Sequence, residues 1–199
     1  MAGLKGFEEV APGFYISPVL PREKTPAITQ ILESSKERIA STFGKMESGA
    51  KVVVTASSDE ASYFGSNDWG RAHLSAIGQC VVLGPEGRSV DIAAHELVHA
   101  EVHYRVGWIK HFLEIPVWFN EGVALIVDHR EFLLPENIQL NPEDIESVKS
   151  KELDFFGDNS WKNYQAARIA VDTLDTSTLY EKLEKINKGE GFEKVFNYY

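Results

Sequence analysis

The spacing of apolar residues changes character part-way along the chain. Before residue 88 they come in short runs. These are Phe14-Tyr15-Ile16-Ser17, closed off by Pro18 and Pro21; Lys51 to Ala56, with three consecutive valines; and Arg71 to Leu83, interrupted near Gly78. Short apolar runs bounded by turn residues predict strands, and the unbroken valines predict one covered on both faces. Between the first two runs, Ile28, Ile31, Leu32, Ile39 and Phe43 recur at helical spacing. They predict one amphipathic helix, with Thr25 as its cap, Pro26 as its first helical position and an end near Gly44. Ser57 to Gly70, rich in Ser, Asp, Asn and Gly, reads as a long loop, and Gly84-Pro85-Glu86-Gly87 as a turn.

From Ser89 onward the pattern is helical. Ser89 can cap a helix running to about Val106, with Asp91 in its first turn and Gly107 just past its end. Pro116 can open a second helix through about Val127. Weaker helical patterns follow at Ser160–Leu174, at Thr178–Ile186 and after Gly191. The expectation is an α+β chain of one domain over residues 1–199. A small mixed sheet with one helix occupies 1–88, and a helical part occupies 89–199.

Composition narrows the function classes. Hydrophobic residues at 43% and charged ones at 25% supply a core and argue against disorder. The formal net charge is −10 and no basic run exists, which excludes the usual nucleic-acid footprint and disfavours anionic membranes. Cys80 is the single cysteine, so no intramolecular disulfide can form, and its apolar surroundings read as a buried strand. Met1 to Val10 carries two glutamates and lacks the apolar stretch of a leader, and no run is long enough to span a membrane. The expectation from these features is a cytoplasmic protein.

The chemistry concentrates in His95-Glu96-Leu97-Val98-His99. Two histidines four apart on a helix share one face, about 6 Å between Cβ atoms, so both imidazoles can reach one zinc ion. The glutamate between them can hold a water at the metal without ligating it. Val90, Ile92, Ala93, Ala94, Leu97, Val98, Ala100 and Val102 surround this helix with apolar side chains. Buried histidines and a buried glutamate cost free energy unless something satisfies them, and a metal does so.

A third ligand is then needed. His103 keeps the same face, but eight residues of helix carry it about 12 Å from His95, too far to share one ion. It is expected to support the site from behind or to face solvent. Position 105, where a third histidine would stand in the longer zinc motif, is Arg105. Glu121, in Pro116-Val117-Trp118-Phe119-Asn120-Glu121-Gly122-Val123-Ala124, fits better. A helix opening at Pro116 and returning beside the first rises about 7–8 Å in five residues, enough to come level with the histidines.

HELVH followed by the glutamate of WFNEGVA resembles the gluzincin group of zinc metallopeptidases, and within it the compact "peptidase MA-like" proteins. The clear likeness covers Ser89 to Val127. It implies a zincin-like fold and a zinc-dependent hydrolase, specifically a peptidase, with zinc held by His95, His99 and Glu121 and with Glu96 as general base. The Gly-Ala-Met-Glu-Asn stretch that marks the group's aminopeptidases is absent, which counts against that activity. The resemblance further implies a Tyr or His donor for the oxyanion. Tyr164, near the start of a helix, is favoured, with His103, Tyr104 and His111 as alternatives. It also implies a peptide or protein substrate lying along an edge strand before the zinc helix, by position Ile77 to Leu83. The competing reading from another class is a catalytically inactive zinc module of the same fold that binds a partner.

Overall fold

The computed structural model describes residue 4 and residues 6–198. Met1 to Gly3, part of the segment read as lacking a leader, lie outside the described residues. Chain order is β1 (Glu8–Ala11), β2 (Phe14–Ile16), α1 (Thr25–Phe43), β3 (Lys51–Val54), α2 (Ser58–Tyr63), β4 (Gly70–Ser75) and β5 (Gly78–Leu83). The helical part follows as α3 (Val90–Val106), α4 (Trp108–Glu114), α5 (Val117–Ile126), α6 (Pro142–Val148), α7 (Ser160–Val171), α8 (Leu179–Asn187) and α9 (Phe192–Phe196). The fold is α+β, with a small mixed five-stranded sheet and nine α-helices among the described residues.

The strand order is β1-β2-β3-β5-β4. β2, β3 and β5 run parallel, because α1 carries the chain back between β2 and β3 as a crossover requires. β1 and β4 pair antiparallel on the two outer sides. The valines of β3 are buried on both faces, as the apolar run predicts.

Three local expectations need correction. Lys24 takes the cap position of α1, which leaves Thr25 and Pro26 inside its first turn. The segment after Ser57 contains α2, whose amides are capped when Ser57 Oγ accepts from Glu60 N. Arg71 to Leu83 is strand broken next to Gly78, as expected: β4 and β5 form a hairpin that turns at Ala76-Ile77 into a Gly78 held at φ 139°. Ile77 stands in that turn, and β5 is flanked by β3 and β4, so the expected Ile77–Leu83 edge is interior. The free edge beside α3 belongs to β4.

α3 joins the two parts. It packs on α1, β4 and β5 of the first part and on α5 and α8 of the second. Its buried residues run almost all round it, from Ile92 to Val106. α5 lies beside α3 and is itself crossed by α7. On its other side the buried rings of Trp118 and Phe119 meet Phe192 and Phe196, with Phe119 4.8 and 4.7 Å from the latter two. No helix among the described residues is long and apolar enough to cross a membrane.

Candidate metal centre

α3 brings His95 and His99 onto one face through simple helical spacing. Their Nε2 atoms stand 3.0 Å apart. Glu121 Oε2, from the second turn of α5, lies 3.5 Å from His95 Nε2 and 3.4 Å from His99 Nε2. Ligands about 2.0–2.1 Å from a tetrahedral zinc stand about 3.3–3.4 Å from one another, so the triangle has the right size for one ion. All three side chains are buried, and they are the only group of three or more among the described residues able to hold a metal ion. Two imidazole nitrogens facing at 3.0 Å cannot both present lone pairs without a cation or proton between them. The donor set therefore fits a metal.

The position of α5 is set from both ends. Pro116 occupies its cap, and the Pro116 carbonyl accepts from Phe119 N and Asn120 N. At the far end, Arg38 of α1 donates to Val127 O and pairs with Asp91, while Asp91 also accepts from His129 N. Asp91, read from sequence as a dipole partner of α3, thus ties three segments together behind the site.

That anchoring delivers a residue that sequence reasoning missed. Asp128, one residue past the end-cap of α5 and almost fully buried, places Oδ2 3.5 Å from His95 Nδ1. Arg130 holds the same carboxylate, donating through Nε at 2.9 Å and Nη2 at 2.6 Å. Burial would lower the pKa of His95, but the carboxylates of Asp128 and Glu121 outweigh it and hold the imidazole up at about 10. The same contacts keep Glu121 and Asp128 well below the usual carboxylate range, against the opposing effect of burial. A site this rich in negative charge favours a divalent cation as it favours a proton, and the two compete.

Glu96 lies outside the ligand triangle and lines the adjoining cleft, where it meets β4. The approach is close because Gly70 has no side chain: a Cβ there would sit 3.1 Å from Glu96 Cγ and 3.3 Å from Ile92 Cγ2. Tyr164 of α7 faces the same cleft. Its ring stacks edge-on against Phe155 at 5.2 Å. Burial first, then the nearby Glu121 and Glu96 carboxylates, push its hydroxyl well above the ordinary tyrosine range, so it stays a donor. Asn120 also lines the cleft, with a buried side-chain oxygen that has no partner.

Comparison with protein-family models, with curated proteins and with solved structures returns no match. The site must be read from its own geometry.

The structure therefore brings His95, His99, Glu121, Glu96 and Tyr164 to one cleft. His103, Tyr104 and His111 do not line it. His103 is buried, against the solvent-facing alternative, with Nδ1 3.0 Å from Gln79 Nε2 and its ring 5.1 Å from that of His111. Burial, and then the neighbouring His103 and His99, depress His111 to about 3. Asp128 and Arg130 had one faint sequence signal, an acid and a base directly after an apolar helix.

Proposed function

We propose that this chain is a zinc-dependent hydrolase of gluzincin type that cleaves peptide bonds. The observation that carries the reading is Glu96, a carboxylate in the cleft next to three converging ligands and not one of them. A purely structural zinc site has no use for such a group. His95, His99 and Glu121 would hold the ion. When bound, zinc supplies Lewis acidity that polarises the scissile carbonyl and draws the pKa of a water towards about 7.

The remaining work falls to the chain's own side chains. Glu96 accepts the proton of the attacking water and delivers it to the leaving nitrogen. Tyr164 donates its hydroxyl proton in a hydrogen bond to the carbonyl oxygen as that atom gains charge. Asp128, with Oδ2 3.5 Å from His95 Nδ1, would favour the proton on that nitrogen and so keep the opposite nitrogen turned to the metal. The free edge of β4, in place of Ile77 to Leu83, offers main-chain pairing to an extended peptide.

Elemental analysis and digestion of a peptide library, run on the wild type and on Glu96→Gln, test the reading together. The expected result is about one zinc per chain in both proteins and cleavage by the wild type alone, with turnover in the variant lower by several orders of magnitude. Near-native hydrolysis by Glu96→Gln refutes the general-base role. A zinc-loaded wild type that cleaves nothing favours a binding module.

A further inference from the structure

The cleft has two lobes that meet at His95, Glu96 and Tyr164. One runs along β4 past Arg71 and Leu74. The other, about 400 Å³, opens beyond Gly70 and is walled by Trp69, Phe132 and Trp161. These rings are 51%, 49% and 58% exposed, and exposed large aromatic rings gathered around one cavity mark a contact surface.

We propose that this second lobe is a specificity pocket for an aromatic side chain of the residue adjoining the scissile bond. The proposal rests on the peptidase reading above. Its substrate class is extended peptide with Phe, Tyr or Trp at that position.

The lobe is already built. The Arg130 guanidinium sits between two of its walls, 5.8 Å from the Trp69 ring and 5.3 Å from the Phe132 ring. Arg130 is itself fixed on Asp128 through Nε and Nη2. Phe132 is held from behind, since its carbonyl accepts from Gln165 Nε2 at 2.8 Å. Trp69 is pinned by its backbone, donating to Asn67 Oδ1 and accepting from Gly84 N. A flat side chain entering between the rings therefore meets Trp69 and Phe132 on a backbone already held in place, which limits the further ordering it must impose.

Charge selects among the candidates. Asp128 already offsets Arg130, and Glu96 stands at the inner end, so an acidic side chain gains little and meets a like charge. A basic side chain must give up its hydration between apolar rings and beside a second cation, Arg130. An apolar side chain meets neither objection. An aromatic one adds ring–ring contacts with three walls, each worth a several-fold gain beyond its buried area. Asp128 also contacts His95, so pocket and metal ligand share one anchor.

Two readouts test the pocket. The first is the residue enriched beside the cleaved bond when wild-type protein digests a peptide library. The second is binding of short fluorescein-labelled peptides, with a central Ala-Phe, Ala-Ala or Ala-Asp pair, to zinc-loaded Glu96→Gln, followed by anisotropy. The expected result is aromatic enrichment on one side of the bond and tighter binding of the Ala-Phe peptide. The Phe-over-Ala preference should fall by roughly tenfold in Trp69→Ala and in Phe132→Ala. Trp161→Ala, at the most exposed wall, should lower it too and covers the case in which either of the others misfolds. Cleavage without aromatic preference overturns the pocket and leaves the peptidase reading intact. Preferential aromatic binding without any cleavage overturns the peptidase reading and leaves the pocket. Neither cleavage nor preferential binding overturns both.

Discussion

Replacing Gly122 by alanine tests the packing that sets the back of the site. A Cβ at this position would stand 2.6 Å from Ala167 O and 3.0 Å from Val171 Cβ, both on α7. Ordinary carbon contacts lie at about 3.5–4.0 Å, so the two helices must separate by roughly 0.5–1 Å. A main-chain carbonyl inside a helix cannot rotate out of the way, so α7 has to move as a body. Overpacking against a fixed main-chain carbonyl takes the upper part of the usual range, about 2–3 kcal/mol, and the helix propensity of alanine over glycine returns about 0.8–1 kcal/mol. The net loss of about 1–2 kcal/mol lowers Tm by roughly 2–8 °C in a domain of this size. Because α7 carries Tyr164, kcat on a peptide substrate should also fall by at least about tenfold, while zinc content is kept. Thermal unfolding, steady-state kinetics and elemental analysis on one preparation read all three. An unchanged or raised Tm refutes the close α5–α7 contact. A lowered Tm with unchanged kcat refutes the placement of Tyr164 as a donor.

Three further outcomes follow from the site. His99→Ala should lose most of its zinc by elemental analysis and His103→Ala should keep it; the reverse result would overturn the ligand assignment. Tyr164→Phe should lower kcat by roughly a hundredfold with little change in KM and almost none in Tm, because the hydroxyl makes its bond only as charge develops. An unaltered kcat would remove Tyr164 from the mechanism. Asp128→Asn should weaken zinc binding by about tenfold to a hundredfold in a chelator competition, and unchanged affinity would show that the 3.5 Å contact to His95 does not tune the ligand.

How much of this was readable beforehand depends on whether the governing distance is local. His95, Glu96 and His99 lie within one turn of one helix, so their spacing alone places them. Glu121 was within reach because helix rise converts residue count into ångströms, although the connection contains a helix the pattern does not announce. In α4, Trp108, Ile109, Phe112 and Leu113 are exposed while His111 is buried, which inverts the usual apolar-inside signal. The substrate edge was misread for a different reason. Strand order is a property of the folded sheet, and no residue in β5 records that β4 folds back to take its outer side. Asp128 left only a faint signal for the same reason, since its partner His95 lies more than thirty positions earlier.

The two glycines at the cleft show where its shape comes from. Gly70 lets the edge strand pass within contact of Glu96, and Gly122 lets α7 close on α5 beside Glu121. Each is a position where the side chain is missing because another element occupies its space. Helix α3 alone would display histidines and a glutamate on an open face, where the glutamate would be solvated and a water at the metal would exchange with bulk. Bringing β4 over one side and α7 over the other encloses Glu96 and Tyr164 in one cavity with the ligands, where electrostatic interactions are less screened. The HELVH helix and Glu121 thus supply the donors, while the two glycines leave room for the elements that wall the cleft around them.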